Sequence, residues 1–201
     1  MHIAKSLSVA LFAVVLVGCG EESDKSAKSS SESKTAVVEA AGAPTGDFDA
    51  SKVAVSSADL GAFPYFARPD SVAPMGGEQT LEQGRFPFWT GAKFEPVEGR
   101  IFMGGLNGAE GKTYSSVAVR NYIENRVAEA GGVKITEGRI PTAASDLLGD
   151  EVKVGMILGL GDIYNDPTST YVIRRADSTI WIHFVTNDLF GSWTIAESKA
   201  P

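Results

Sequence analysis

The sequence of 201 residues is poor in cysteine, in histidine and in clustered basic residues. It holds one cysteine and two histidines, which excludes an internal disulfide and leaves too few ligands for a structural zinc site. The net charge is −7, and no Lys/Arg run is longer than Arg174-Arg175. Proteins that bind nucleic acid usually carry a basic stripe that neutralises phosphates. We therefore expect no nucleic-acid partner and no metal.

The first 19 residues follow the pattern of a secretory signal peptide. Lys5 precedes an apolar run over about 9–17, which is shorter than the roughly 20 residues that a membrane-spanning helix needs. The run ends in Leu16-Val17-Gly18-Cys19, which resembles the bacterial lipobox. The resemblance implies cleavage before Cys19, a diacylglycerol on its thiol and acylation of the new amine. We expect a lipoprotein with residues 1–18 as its signal peptide; an ordinary cleavage site beside an incidental cysteine is the alternative.

The residues after Cys19 indicate where the protein resides and how far its domain stands from the lipid. Lipoproteins of enteric type that stay in the inner membrane tend to have Asp at the next position, which here is Gly20. The resemblance therefore favours the outer membrane, with the domain facing the periplasm. The segment up to about Gly46 is rich in Ser, Lys, Glu and Ala and has almost no large apolar residue. Residues 19–46 are therefore predicted to be a lipid anchor and a disordered tether that spans about 30 Å.

Residues 47–201 have the length of a single domain, and their pattern predicts an α+β fold. A helix over about 115–130 is indicated by apolar residues at helical spacing, by an N-cap at Ser115 or Ser116 and by the terminal Gly131-Gly132. Three β-rich runs at 170–175, 179–186 and 192–197 predict an antiparallel meander. The middle run places Ile180, Ile182 and Phe184 on one face and Trp181, His183 and Val185 on the other. We expect a mostly antiparallel sheet with the amphipathic helix packed on one face.

Aromatic and proline residues are concentrated between Phe63 and Phe102, which hold eight of the 18 aromatic residues and five of the nine prolines. Proline lacks the N–H that long helices and central strands need, so we expect extended segments and turns pinned by aromatic side chains. Exposed rings here, with Phe86, Phe88 and Trp89 as candidates, would contact a ligand or a partner. The alternative is that the rings form an irregular apolar layer on the core.

Candidate catalytic residues are few. His183 is the only imidazole after signal-peptide removal, so Ser-His-Asp catalysis would need it, with Asp177 or Asp188 as its partner. No Gly-x-Ser-x-Gly motif is present, and a lone histidine in a strand is usually structural. Glu95 and Glu98 are three residues apart in a strand, which places them on opposite faces and disfavours an acid/base pair for glycan cleavage. We expect no catalytic residue and no enzyme.

Two segments match ligand-binding loops only in part. Segment 155–162 lacks the third Gly of a dinucleotide loop and the Gly-Lys-Ser/Thr of a P-loop, so we expect a Gly-punctuated apolar strand or a tight bend, and no cofactor. Asp162, Asn165 and Asp166 would offer oxygen ligands to calcium, but their spacing does not match an EF-hand loop. An Asx turn, in which these side chains bind their own backbone, is favoured.

A further resemblance rests on three segments. They are Pro96-Val-Glu-Gly-Arg, the run from Asn121 to Val133 with its Ala-Gly-Gly, and Thr179-Ile-Trp-Ile-His-Phe-Val followed by Gly191-Ser-Trp-Thr-Ile. They are similar to the periplasmic region that precedes the peptidoglycan-binding domain in some OmpA-family envelope proteins. The resemblance spans about 60–197 and implies no catalytic residue. The peptidoglycan-binding domain itself has no counterpart here, so cell-wall binding is not implied.

These features predict a non-enzymatic envelope lipoprotein, attached to the membrane by its N-terminal lipid, whose domain binds another envelope component. We expect that component to be a protein. Arg174 and Arg175 join the aromatic candidates as contact residues, facing acidic cell-wall or lipid groups. The alternative for these arginines is that they guard the edge of a sheet. The alternative function is the binding of a small apolar ligand or a glycan by the aromatic segment 63–102.

Overall fold

The computed structural model describes residues 47–200. The signal peptide, the lipidated Cys19 and the tether predicted from the sequence lie outside the described residues. Within 47–200 no helix is both long and apolar enough to cross a membrane. The predicted α+β fold, with a mostly antiparallel sheet, is confirmed for this range.

One antiparallel sheet of six strands forms the centre of the fold. The strands are β1 (Val72–Trp89), β2 (Phe94–Gly108), β3 (Val133–Gly138), β4 (Thr168–Arg174), β5 (Ser178–Thr186) and β6 (Gly191–Lys199). The helices are α1 (Ser116–Glu129), α2 (Thr142–Ser145), α3 (Asp150–Gly155) and α4 (Ile157–Leu160), and a single 3₁₀ turn covers Ala50–Lys52. The order across the sheet is β1-β2-β6-β5-β4-β3, so β1 and β3 are its edges. The consecutive strands β4, β5 and β6 are neighbours and form the predicted meander.

Strand β5 is buried on both faces, as its alternating pattern predicts. Ile180, Ile182 and Phe184 pack into one apolar cluster together with residues of α1. Trp181 and Val185 pack into a second cluster on the opposite face. Successive side chains of a strand point to opposite faces, so both faces of the sheet require a cover. Helix α1 covers the first face, and the end of the β1–β2 hairpin together with segment 140–163 covers the second.

Helix α1 lies where the apolar spacing predicts it. The hydroxyl of Ser115 accepts a hydrogen bond from the amide of Ala118 at 3.3 Å and caps the helix. Val119, Ile123 and Val127 are buried against the sheet. Gly131 follows with a φ of 71°, a left-handed conformation that glycine adopts without strain and that ends the helix. The predicted helix, its cap and its buried face are therefore confirmed.

The predicted extended segments are present in the proline-rich region, but they are two long paired strands and not segments broken by turns. Pro74 and Pro87 lie in β1, which is an edge strand of the described sheet. No strand of the sheet lies on the outer side of β1, so an N–H that is missing on that side breaks no hydrogen bond.

Pro87 lies opposite Pro96, three pairs along the register from the hydrogen-bonded pair Thr90–Lys93. Pro87 and Pro96 therefore form a non-hydrogen-bonded pair, in which an N–H would point away from the partner strand. Pro96 also precedes Arg100, where the pairing of β2 with β6 begins. Prolines at these positions are incompatible with hydrogen bonding on both sides of the strand, but they permit a long hairpin in which each strand is bonded on one side there.

The end of the β1–β2 hairpin packs on the sheet and buries the aromatic residues predicted as contacts. Phe86 and Phe88 have no exposed surface, and Trp89 is only 5% exposed. The rings of Phe86 and Phe88 lie 5.4 and 6.5 Å from the His183 ring, measured between centroids. Two register shifts in β1 precede this end, and such bulges bend a strand. The three rings belong to the core, so the prediction that they are exposed is wrong and the predicted alternative, an apolar layer, describes them.

Segment 155–162 forms short helices in place of the predicted strand or tight bend. Helix α3 ends at Gly155, and α4 follows after one residue. An added Cβ at Gly159 of α4 would stand 2.7 Å from Cγ of Met103 and closer still to the hydroxyl of Thr194. The glycine therefore allows the helix backbone to approach the sheet.

Candidate functional site

The two arginines predicted as contacts hold the N-terminal segment 51–58 onto the sheet. Nη1 of Arg174 donates to the carbonyl oxygens of Ser51 at 2.6 Å and Val53 at 3.2 Å. Arg175 donates to the carbonyl oxygen of Ala58. These contacts are internal to the domain, which gives the two side chains a structural role. They do not guard an open sheet edge: β3 pairs with β4 only as far as Val172, and beside Arg174 the segment at Val55 and Ser56 bonds to the strand instead.

His183 is sealed inside the second apolar cluster. Its side chain has no exposed surface, and its Nε2 lies 3.1 Å from the carbonyl oxygen of Leu160. Burial lowers the pKa of the imidazole from 6.5 to about 4. Asp177 and Asp188 lie in the turns at the two ends of β5, whereas His183 lies in its middle. An external substrate cannot reach this imidazole in the described structure, which fits the predicted structural role.

The loop at Asp162 binds its own backbone. Oδ1 of Asp162 accepts from the amide of Asn165 at 3.2 Å, and Oδ2 accepts from the Asn165 side-chain amide at 2.7 Å. Asp166 accepts from the side-chain amide of Asn187 at 2.8 Å. Asp162 therefore binds the backbone of its own loop as predicted, but three residues on and not two as in an Asx turn. No group of three or more His, Cys, Asp or Glu side chains suited to a metal occurs within residues 47–200.

The strongest candidate for a functional site is a cleft at the end of the sheet, which we call the Trp181 cleft. It has a volume of about 340 Å³ and lies between the N-terminal residues Phe48–Ser51 and the β2 residues Glu95–Glu98. Thr179 and Trp181 of β5 also line it. The cleft opens here because β2 pairs with β6 only from Arg100 onward, so the earlier part of β2 separates from the sheet.

The β2 wall of the cleft is rich in hydrogen-bond acceptors. Among the strands of residues 47–200, this part of β2 pairs with β1 alone, which leaves its other edge open within the described structure. Pro96 has no N–H to present on that edge. Glu95 and Glu98 extend to opposite faces of the strand, as their spacing predicts, yet both line the cleft because the open edge runs between them.

Thr179 contributes a buried hydroxyl to the same cleft. Its side chain lies on the same face of β5 as that of Trp181, two residues away. The residue is 2% exposed, and its Oγ1 has no hydrogen-bond partner within the described range 47–200. An unsatisfied buried polar group costs about 1–3 kcal/mol, so a donor that reached this hydroxyl would be stabilised.

A second cavity, of about 560 Å³, adjoins the Trp181 cleft, and we call it the Arg100 cavity. The two cavities share Glu98, Ser198 and Lys199 as lining residues. Within the second cavity Arg100 forms an ion pair with Glu82 through two contacts, Nε–Oε2 at 3.1 Å and Nη2–Oε1 at 3.2 Å. Glu82 therefore offsets the positive charge of Arg100 in a surface ion pair whose side chains are 41% and 73% exposed. We call the two cavities together the end-of-sheet groove.

The loop that contains Phe63 and Tyr65 packs beside the Arg100 cavity. Tyr65 has a φ of 71°, which is uncommon for a residue with a side chain. Burial raises the pKa of its phenol above 10.0, and the Glu197 carboxylate raises it further. The Phe63 ring meets the Tyr65 ring edge-on at 5.5 Å and lies 4.5 Å from the guanidinium carbon of Arg100. These contacts fix the loop against Arg100 and Glu197, which both line the cavity.

Negative charge dominates the end-of-sheet groove. Its lining holds the carboxylates of Asp49, Glu82, Glu95, Glu98, Asp177 and Glu197. The cations in the lining are Arg100, which is paired with Glu82, and Lys199. Clefts lined by one sign of charge concentrate ligands of the opposite sign. The groove therefore favours a cation and disfavours an anion.

An apolar groove of about 580 Å³ lies where the end of the hairpin meets α3. Phe94, Leu148 and Met156 are among its lining residues. Leu147 at its rim is 84% exposed. Its lining indicates an apolar contact but carries no feature that specifies the chemistry of an occupant, so the end-of-sheet groove is the better candidate.

Comparison with known protein families, with curated proteins and with solved structures finds no match to this chain. The lipobox and the resemblance to the OmpA-family region therefore stay predictions.

Sequence reasoning missed the residues that build the groove. Phe48, Thr179 and Trp181 come from segments far apart in the chain, and no local pattern links them. Glu95 and Glu98 were considered only as a catalytic pair. The available signal was the abundance of carboxylates in the β2 segment and at the end of β6, which identifies an acidic surface but not a cleft.

Proposed function

We propose that this chain is a non-enzymatic lipoprotein of the bacterial envelope, anchored through Cys19, whose domain binds another envelope protein through the end-of-sheet groove. The observation that carries the binding role is the groove itself, two adjoining cavities of about 340 and 560 Å³ with an excess of carboxylates in their lining. The anchor is supported by the pattern that ends at Cys19, and the outer membrane by Gly20 after it.

The position of His183 supports a binding role over a hydrolytic one. Its imidazole is fully buried, and burial holds its pKa near 4, so it offers no base to an external substrate. The alternative of an apolar-ligand or glycan site on the aromatic segment loses three of its candidate contacts, because Phe86, Phe88 and Trp89 fill the core. Its remaining support is the apolar groove that Phe94 lines beside α3.

Site-specific photocrosslinking tests the binding role. A photoreactive amino acid replaces Gln83 or Lys199, which line the groove, in cells that produce the full chain. A third variant carries it at Glu110, an exposed turn residue just beyond the opposite end of β2. We expect a discrete protein adduct from the two groove positions and none from position 110. Adducts of equal yield from all three positions, or none from the groove positions, would contradict the proposal.

A further inference from the structure

We infer that the end-of-sheet groove receives a lysine or arginine side chain from a basic, extended segment of the partner protein, with the cationic group in the Trp181 cleft. This inference rests on the proposed function and specifies the chemistry of the partner. It follows from the charge of the groove, from an unpaired hydroxyl in its wall and from the open edge of β2.

The carboxylates nearest the cleft are available to a cation. Glu95 and Glu98 form ion pairs with Lys93 and Arg85 at 3.7 Å each, and these pairs lie at the surface. Surface ion pairs of this kind contribute about 0–1 kcal/mol, so an incoming cation can replace them. Lys199 is the one cation in the lining of the Trp181 cleft.

The neutral polar groups of the cleft can also accept a hydrogen bond from a donor. The buried Thr179 hydroxyl has no partner within residues 47–200 and can accept a hydrogen bond. Pro96 removes one donor from the open edge of β2, where backbone carbonyls remain. Lysine and arginine side chains, like the tryptophan indole, carry only donors, with no acceptor to oppose these groups. The unpaired hydroxyl therefore indicates a polar ligand, and the carboxylates select a cationic one.

The shape of the groove favours a side chain of a protein over a free amine. Pro96 and Phe48 offer apolar surface to the methylene stem of lysine or arginine. Trp181 is 6% exposed and forms the buried floor of the cleft, where its ring meets the Phe48 ring edge-on at 5.7 Å. The open edge of β2 offers main-chain groups to an extended segment, a recurring mode of peptide recognition. The adjoining Arg100 cavity gives room for neighbouring residues of that segment.

Peptide binding to the full chain in neutral detergent tests the inference. The probe is fluorescein-labelled hexalysine, followed by fluorescence anisotropy, with hexaglutamate and spermidine as competitors. We expect saturable binding of hexalysine that weakens with added salt. Hexaglutamate and spermidine should each bind less tightly than hexalysine. Neutralising the cleft with Glu95→Gln and Glu98→Gln should weaken binding at least about tenfold.

A matched control carries Asp70→Asn and Glu110→Gln, which change the net charge equally at the opposite end of the β1–β2 pair. It should leave binding within about twofold. Thr179→Val removes the unpaired hydroxyl and should weaken binding by about threefold without lowering stability, because no internal hydrogen bond is lost.

Four results would overturn the inference. The first is that the control variant weakens hexalysine binding as much as the cleft variant does. The second and third are that hexaglutamate or spermidine binds as tightly as hexalysine, and the fourth is that hexalysine shows no saturable binding. If groove-specific photocrosslinks persist in that case, the proposed function stands and only the basic partner is refuted.

Discussion

The imidazole of His183 is a titratable group enclosed by apolar side chains. Burial lowers its pKa from 6.5 to about 4, and its hydrogen bond to the Leu160 carbonyl only partly opposes the shift. Between these two values the unfolded chain binds a proton that the folded chain does not bind. The contribution of this group to stability is therefore fully present above pH 6.5 and is lost as the pH falls, by about 3 kcal/mol once the pH is below 4.

We predict that His183→Gln, which keeps a donor for the Leu160 carbonyl but does not titrate, removes this pH dependence. The free energy of unfolding of the wild type should fall relative to that of the variant by about 3 kcal/mol between neutral pH and pH 4. Urea unfolding at several pH values measures the difference, in which the carboxylates common to both proteins cancel. A difference that does not change with pH would show that the imidazole has an ordinary pKa.

Individual side chains differ in how far the sequence specifies their role. The structural role of His183 could be predicted because a lone histidine in an apolar strand has no catalytic partner nearby in the chain. The internal contacts of Arg174 and Arg175 could not, because the carbonyls of Ser51, Val53 and Ala58 are more than 100 residues away. The exposure of an arginine in a strand depends on a segment that no local pattern connects to it.

At the scale of elements, the contact between α4 and the sheet depends on the absence of a side chain at Gly159. We predict that Gly159→Ala lowers the free energy of unfolding by about 1–3 kcal/mol, although alanine is the better helix former, because the new methyl group would overlap the Thr194 hydroxyl and Met103. Urea unfolding measures the effect.

The matched control is Gly155→Ala at the end of α3. An added Cβ there has no neighbour within 4 Å, so this variant should be neutral or more stable by up to about 1 kcal/mol. Equal stability of the two variants would show that α4 does not pack closely on the sheet.

Elements with a local signal were predictable, and elements set by register were not. Helix α1 and the meander each follow from a periodicity within one segment. The β1–β2 hairpin was missed because its prolines are tolerated only by virtue of their positions. Pro87 and Pro96 face each other, and Pro96 lies outside the pairing with β6, facts that depend on the alignment of distant strands. Composition shows that prolines are present but not which groups they oppose.

At the scale of the molecule, the groove results from how the hairpin is attached to the sheet. Strand β2 pairs with β6 from Arg100 onward, whereas its earlier part covers the second face of the sheet. This division leaves a gap between β2 and the ends of β5 and β6, and the N-terminal residues from Phe48 border the gap on its other side. The charge of the groove was partly visible in the sequence, as a net charge of −7, but its concentration at one end of the sheet was not.

Within residues 47–200 no helix is long and apolar enough to span a bilayer, and the membrane attachment that we propose is the lipid on Cys19. The burial of a CH₂ group in lipid contributes about 0.8 kcal/mol, so two or more acyl chains on Cys19 would anchor the chain stably. We predict that Cys19→Ala abolishes incorporation of a palmitate analogue and moves the protein from the detergent phase to the aqueous phase in phase partition. The variant should retain the unfolding transition of the domain, since Cys19 precedes it. A Cys19→Ala variant that incorporates the label as the wild type does would contradict the anchor.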